Sequence, residues 1–160
     1  MSQSARIMKI DDIGIENIEV NLKSRYDIPY LLRGLKHLYT DPSLRDQLFT
    51  LLEKELVPDV NDQLFHPRLQ LWRTLVIAVM KGGLDCSFGY IHDMVNNHSS
   101  IREFLGHSNF FDRPRFTYEW VVDRVNQVRP EVLVAVSQMV IESGHAVSKR
   151  LPWKILANSV

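Results

Sequence analysis

Cysteine is nearly absent from the chain, since Cys86 is the only one in 160 residues. A single cysteine cannot form an intramolecular disulfide, and it cannot supply the several thiolates of a cysteine-rich zinc site. The composition, with 45% hydrophobic and 24% charged residues, is otherwise that of an ordinary soluble protein. We therefore expect one domain that folds in a reducing cytoplasm and depends on a hydrophobic core for its stability.

Long hydrophobic runs are also absent. The longest, Leu75 to Met80, is far shorter than the ~20 apolar residues that a membrane-spanning helix needs. The first twelve residues lack the apolar core of a signal peptide. Neither sign of charge is in excess, because 19 Lys and Arg balance 19 Asp and Glu. This neutrality disfavours a protein that coats polyanions through charge alone.

Residues 1–26 differ in pattern from the rest of the chain. Ile18, Val20 and Leu22 alternate with polar residues, which is the period of a short β-strand. The sequence offers no second strand, and a lone strand cannot satisfy its backbone N–H and C=O groups. We expect an extended N-terminal segment that pairs with a partner or stays mobile.

From Asp27 onward, apolar residues recur with the period of an α-helix. The predicted helices cover residues 27–37, 42–57, 69–81, 88–97, 100–105, 117–128 and 130–144. The third is apolar nearly all round, which is typical of a helix at the centre of a bundle. The prediction is an all-α fold: a compact bundle of about seven helices over residues 27–150, with a helix-turn-helix-like element and the short extended N-terminal segment. Residues 151–160 are expected to be a divergent tail.

Three of the six histidines lie in the stretch YIHDMVNNHSSIREFLGH, residues 90–107. One interpretation is a metal or proton-transfer site. However, no two of His92, His98 and His107 have the i, i+4 spacing that lets two imidazoles on one helix share a metal. The interpretation we favour places histidine at helix ends, where the terminal carbonyls suit its charge and its donors. Phosphate-binding loops, dinucleotide fingerprints and nucleophile elbows are lacking, so we predict no catalytic residue, no metal and no cofactor.

The order of the helical motifs is more specific than any one motif. The stretches DIPYLLRGLKHLYTDPSLRDQLFTLLEKEL, LQLWRTLVIAVMKGG, YIHDMVNNHSSIREFLGH and PEVLVAVSQMVIESGH follow one another between about residues 8 and 150. In this order they resemble the N-terminal domain of bacterial insertion-sequence transposases of the DDE type. The resemblance implies an α-helical domain that binds double-stranded DNA at the terminal inverted repeats of the element, in the bacterial cytoplasm at the nucleoid.

Such transposases continue into a ribonuclease-H-like domain, in which three carboxylates hold two metal ions for strand cleavage and joining. This chain departs from the family there, because LPWKILANSV does not look like the start of a strand-rich core. The catalytic carboxylates therefore have no matching positions here. We expect a truncated copy or an isolated first domain, and no strand-transfer activity.

Two pairs of predicted helices could form the DNA-binding element. The first pair, 88–97 and 100–105, has a turn of suitable length but offers Arg102 alone for reading a base. In the second, helix 100–105 leads through HSNFFDRPRF to the helix that starts at Thr117, and arginines at that start could grip phosphates. We favour the second pair. The predicted DNA-contacting residues are Arg102, Arg113, Arg115, Thr117, Tyr118 and Arg124.

A protein-binding module is the alternative function. The last predicted helix is apolar around most of its circumference between Val132 and Ile141, and a terminal helix with such a surface predicts a partner. The partner would be a second copy or the absent catalytic domain. We therefore expect a homodimer. In the alternative, the chain is a dimerisation or interaction module without direct DNA contact.

Overall fold

The computed structural model describes residues 8–21, 26–59, 66–107, 115–144 and 151–157. The helices in these ranges are α1 (Asp27–Thr40), α2 (Pro42–Glu55), α3 (Pro67–Leu84), α4 (Phe88–Asn97), α5 (Ser99–Phe104), α6 (Tyr118–Gln127), α7 (Pro130–Glu142) and α8 (Leu151–Ala157). No β-strand occurs in the described ranges. The prediction of an all-α fold is confirmed.

The helix starts are encoded locally. The side chains of Asp41, Ser87 and Thr117 each accept a hydrogen bond, 3.1 Å long, from the backbone N–H three residues later. These short polar side chains replace the intrahelical partner that a first-turn N–H lacks. Pro42 and Pro130 occupy the first position of their helices, where a missing N–H costs nothing. The predicted helices therefore agree with the observed ones to within a few residues.

The central helix is α3, as its all-round apolar pattern predicts. Every residue from Leu69 to Met80 is buried, and α3 packs against α1, α2, α4, α5, α6 and α8. Trp72 is fully buried, and its Nε1–H donates a 2.9 Å hydrogen bond to the carbonyl of Phe104. In the described part of the chain, no helix is both long and apolar enough to cross a membrane.

The prediction of a strand at Ile18–Leu22 is wrong for residues 18–21, and Leu22 lies outside the described residues. Two 3₁₀ helices, Ile10–Ile13 and Ile15–Asn17, precede a short irregular stretch. Ile10, Ile15 and Ile18 are buried in the core. The segment needs no partner strand because side chains of α1 satisfy part of its polar groups, as Lys36 Nζ does by donating a 2.7 Å hydrogen bond to the carbonyl of Ile18.

A second contact of this kind joins Tyr39 of α1 to the first 3₁₀ helix. The Tyr39 hydroxyl is buried and donates a 3.0 Å hydrogen bond to the carboxylate of Asp11. Burial, helped by this hydrogen bond and the nearby negative charge, raises the pKa of Tyr39 to about 12. The phenol is therefore a donor throughout the physiological range.

Residues 151–157, expected to belong to a divergent tail, form α8, which packs against α7, α3 and α1. Trp153 is fully buried. Its ring lies against Gly34, where any Cβ would collide with it, and its Nε1–H donates to the carbonyl of Tyr30 at 3.1 Å. Ser137 Oγ of α7 donates to the carbonyl of Trp153 at 2.6 Å. This helix could not be predicted from the sequence because, at 7 residues, it is too short for a periodic apolar pattern.

The apolar circumference of α7 is covered within the same chain. Val132, Val136 and Val140 are buried, and Leu133, Val134, Met139 and Ile141 are partly buried. Helix α8 supplies much of this cover, together with α1 and α2. None of the large apolar residues of α7 is among the exposed ones, so the apolar surface on which we based the homodimer prediction is smaller than expected, and the homodimer itself stays a prediction.

Candidate nucleic-acid interface

Two side chains of α4 hold the backbone of the residue that leads into α6. Asn96 Oδ1 accepts from the N–H of Phe116 at 2.8 Å, and Asn96 Nδ2 donates to the carbonyl of Phe116 at 3.0 Å. His92 Nε2 lies 2.9 Å from the same carbonyl. Because a carbonyl can only accept, Nε2 carries the proton of this imidazole. Both polar groups of the Phe116 backbone are thus fixed to α4.

The ring of Phe116 anchors the same point through packing. It is 8% exposed and stacks on Trp120 of α6, with ring centroids 4.7 Å apart and an interplanar angle of 25°. The guanidinium of Arg73, from α3, lies 5.1 Å from the ring centroid. Stacking and cation–π contacts add to the burial of the ring. Phe116 therefore points into the bundle.

Arg73 also holds the chain just after α5. It is 3% exposed, and its Nε–H donates a 2.9 Å hydrogen bond to the carbonyl of Leu105. Its Nη2 contacts Nε2 of His107, which is likewise buried. Since a guanidinium only donates, Nε2 of His107 is the acceptor in this contact. The bundle thus anchors both His107 and Phe116. They lie close to the two ends of residues 108–114, which are outside the described ranges.

With Phe116 turned inward, its neighbours face outward. Arg115 and Thr117 are exposed, as expected for residues on either side of a buried residue in extended backbone. Tyr118 is 45% exposed, and its ring meets the edge of the His92 imidazole at a centroid distance of 5.8 Å. We name Arg115, Thr117 and Tyr118 the α6 entrance. The structure brings these three predicted residues together on one surface.

Arg102 is not part of this surface. It is half-buried, and its Nη1 approaches the carbonyls of Val95 at 3.3 Å and Asn96 at 3.4 Å. These carbonyls belong to the last turn of α4, where an arginine complements the helix dipole. The predicted base-reading position of Arg102 thus differs from the position that the structure shows, in which it closes α4.

Arg124 lies on α6 but turns toward the bundle. Its guanidinium is 6.0 Å from the Trp120 ring centroid, and its Nε is buried without a hydrogen-bond partner. The side chain is half-buried, so it lies beside the α6 entrance without forming part of it. Arg113 lies outside the described residues.

The helix pairs differ from the expected arrangement in one respect. Helices α4 and α5 are joined by His98 alone, whose Nδ1 accepts from the N–H of Ile101 at 3.4 Å. Burial lowers the pKa of His98, which favours the neutral ring that such an acceptor needs. Helix α6 packs mainly against α3 and α4. We favoured a pairing of the α5 helix with α6, but in the structure α6 packs on α3 and α4 instead.

His92, His98 and His107 all have backbone or side-chain partners. His92 fixes Phe116, His98 caps α5 and His107 contacts Arg73. The interpretation at helix ends describes His98 and His107, whereas the role of His92 in bridging two helices could not be predicted. Among the described residues, no group of three or more His, Cys, Asp and Glu side chains could hold a metal ion.

The exposed side of α6 continues from the entrance. Glu119, Asp123 and Asn126 are exposed and have the spacing i, i+4 and i+7, which places them in one line along the helix. Val121 and Val128, on the other side, are buried. The line does not stand out in the sequence, because exposed carboxylates on a helix are common.

Comparison with known proteins adds no relative: no protein-family model matches the chain, and no curated protein or solved structure is significantly similar to it. The transposase resemblance therefore stays a prediction from the sequence motifs.

Proposed function

We propose that the chain binds double-stranded DNA through the α6 entrance, as the domain of a transposase-like protein that recognises the ends of a mobile element at the bacterial nucleoid. One observation carries the proposal. Arg115, Thr117 and Tyr118 are displayed together at the start of a helix, on a backbone that Asn96 and His92 hold in place. No strand-transfer chemistry is proposed for these residues.

The groups at the α6 entrance suit a duplex backbone. A guanidinium and a phenol are common phosphate ligands, and the N-terminus of a helix carries partial positive charge and N–H groups without intrahelical partners. Thr117 uses its hydroxyl to cap the N–H of Trp120. Because the surrounding backbone is already fixed, little ordering is needed when a ligand binds.

The local charge argues against non-specific coating of DNA. Within residues 88–107 and 115–127 the charged side chains are Arg102, Arg115 and Arg124 against Asp93, Glu103, Glu119 and Asp123. Two of these arginines are half-buried. A surface with so little positive charge cannot hold DNA through counterion release alone. We therefore expect few phosphate contacts and a shallow salt dependence.

The test begins with the full chain and a library of randomised duplexes, from which bound sequences are selected and then titrated by fluorescence anisotropy at several salt concentrations. Arg115→Ala should weaken binding to the selected duplex roughly fivefold or more and reduce the slope of log K against log salt by about 0.9, the value for one lost phosphate contact. The matched control is Lys54→Ala, which removes one exposed positive charge from α2, a helix that packs against α1, α3 and α7.

Two results would contradict the proposal. One is that no duplex sequence is enriched by the wild-type chain. The other is that Arg115→Ala and Lys54→Ala have the same small effect on affinity and on the salt slope. The first result would favour the alternative function, a protein-interaction module without direct DNA contact.

A further inference from the structure

The exposed residues along α6 limit how this helix can approach a DNA duplex. Glu119, Asp123 and Asn126 form the side of α6 that faces away from α3 and α4, and no lysine or arginine interrupts that line. Glu119 is the second residue of the helix and directly follows Tyr118 of the α6 entrance. A duplex bound at the entrance must therefore come close to Glu119.

A carboxylate near DNA has few favourable positions. The phosphate backbone repels it at any close distance, since like charges repel even in water and more strongly near a protein surface. The attractive groups of a duplex are its exocyclic amines. In the major groove these are N4 of cytosine and N6 of adenine, and acidic side chains accept mainly from cytosine N4. The major groove is also the one that admits an α-helix.

The residues suited to phosphates and the carboxylates of α6 thus occupy different parts of the surface. Arg115, Thr117 and Tyr118 can bind phosphates on the rim of the groove. Glu119, one residue further into the helix, can then reach a base edge, as the N-terminal residues of a recognition helix do. Asp123 lies about 6 Å further along the axis, beyond the first base pair that Glu119 would meet.

We propose that Glu119 is a specificity-determining residue that accepts a hydrogen bond from N4 of a cytosine in the major groove. This inference rests on the proposed DNA-binding function and adds a base identity to it. It assigns sequence choice to a carboxylate of α6 and leaves the arginine of the entrance to the backbone.

The test measures the base preference at every position of the selected duplex for the wild-type chain, Glu119→Ala and Glu119→Gln. The wild-type chain should prefer C at one position by roughly tenfold over the other bases, in the range found for single base contacts. Glu119→Ala should remove this preference at that position and leave the others unchanged. Glu119→Gln should change the preference from C to A, because a glutamine amide can pair with N6 and N7 of adenine.

Glu131→Gln is the matched control. Glu131 is likewise an exposed carboxylate in the first turn of its helix, α7, so it shares with Glu119 the favourable interaction with the helix dipole. It should alter thermal stability about as much as Glu119→Gln does and leave the base preference unchanged. Far-UV circular dichroism of each variant checks that the helices are retained.

The outcomes separate this inference from the function on which it rests. If the wild-type chain enriches no duplex, both are overturned. If Arg115→Ala weakens binding but Glu119→Gln leaves the base preference unaltered, the specificity role is overturned and the DNA-binding function stands. Tighter binding of Glu119→Gln to every duplex alike would also overturn it, because it would place the carboxylate near phosphates and away from bases.

Discussion

Two pieces of the second half of the chain are anchored to the helical bundle in different ways. Helix α8 is held by a large apolar side chain, Trp153, which fills a space against Gly34. The α6 entrance is held by the buried ring of Phe116 and by hydrogen bonds between Asn96 and both backbone groups of this residue. Apolar burial is stronger but has no direction, whereas paired hydrogen bonds fix the direction of the chain. The polar anchor, at Phe116, lies between two exposed residues, Arg115 and Thr117.

The largest effect is expected from breaking the apolar anchor. Trp153→Ala should lower the free energy of unfolding by roughly 3–5 kcal/mol, because a buried aromatic is lost and a cavity remains. Urea denaturation followed by circular dichroism measures this change. Lys154→Ala, at an exposed position of the same helix, should have little effect. Equal midpoints for Trp153→Ala and the wild-type chain would show that α8 is not part of the cooperative fold.

A smaller loss is expected from breaking the polar anchor. Asn96→Ala leaves the backbone N–H of Phe116 without its partner, and we expect the free energy of unfolding to fall by about 1–3 kcal/mol. The loss of DNA affinity should be larger than that of Arg115→Ala alone, because the whole α6 entrance loses its fixed position. The control is Gln138→Ala, at an exposed amide side chain of α7, which should keep stability and DNA affinity close to those of the wild-type chain. Unchanged DNA affinity in Asn96→Ala would show that the anchor does not position the site.

The smallest effect is expected from removing the cap of α6. Thr117→Ala removes the cap of the helix and should lower the free energy of unfolding by about 1 kcal/mol. Thr117→Ser keeps the hydroxyl oxygen that accepts from the N–H of Trp120, so it should restore most of this stability. Thermal denaturation of the three proteins measures the order. If Ala and Ser variants are equally stable, the cap contributes nothing and the entrance depends on the Asn96 anchor alone.

The secondary structure could be predicted from the sequence because its signals are local. Asp41, Ser87 and Thr117 precede their helices in the sequence and cap them in the structure. The mostly apolar character of residues 71–80, which include only two polar residues, Arg73 and Thr74, likewise predicts a central α3. Each of these signals acts over three or four residues, so neighbouring residues suffice to read it.

The candidate site could be predicted only in part. Arg115, Thr117 and Tyr118 are exposed as expected, whereas Arg102 closes α4 and Arg124 turns toward Trp120. The sequence does not separate these arginines, because a long flexible side chain reaches either solvent or a nearby carbonyl from the same helical position. Residues 18–21 show the same limit. Their alternation suits a strand, but Ile18 is buried in the helical core, and the alternation does not reveal this.

The sequence by itself determined where this chain becomes helical and which helix must be central, since caps, prolines and apolar periodicity act through immediate neighbours. The tertiary structure alone decided which charged side chains are displayed. Asn96 meets Phe116, and Arg73 meets His107, across 20 and 34 positions, and such meetings follow from the packing of whole helices. Those distant polar contacts turn Phe116 inward and leave Arg115 and Thr117 facing solvent.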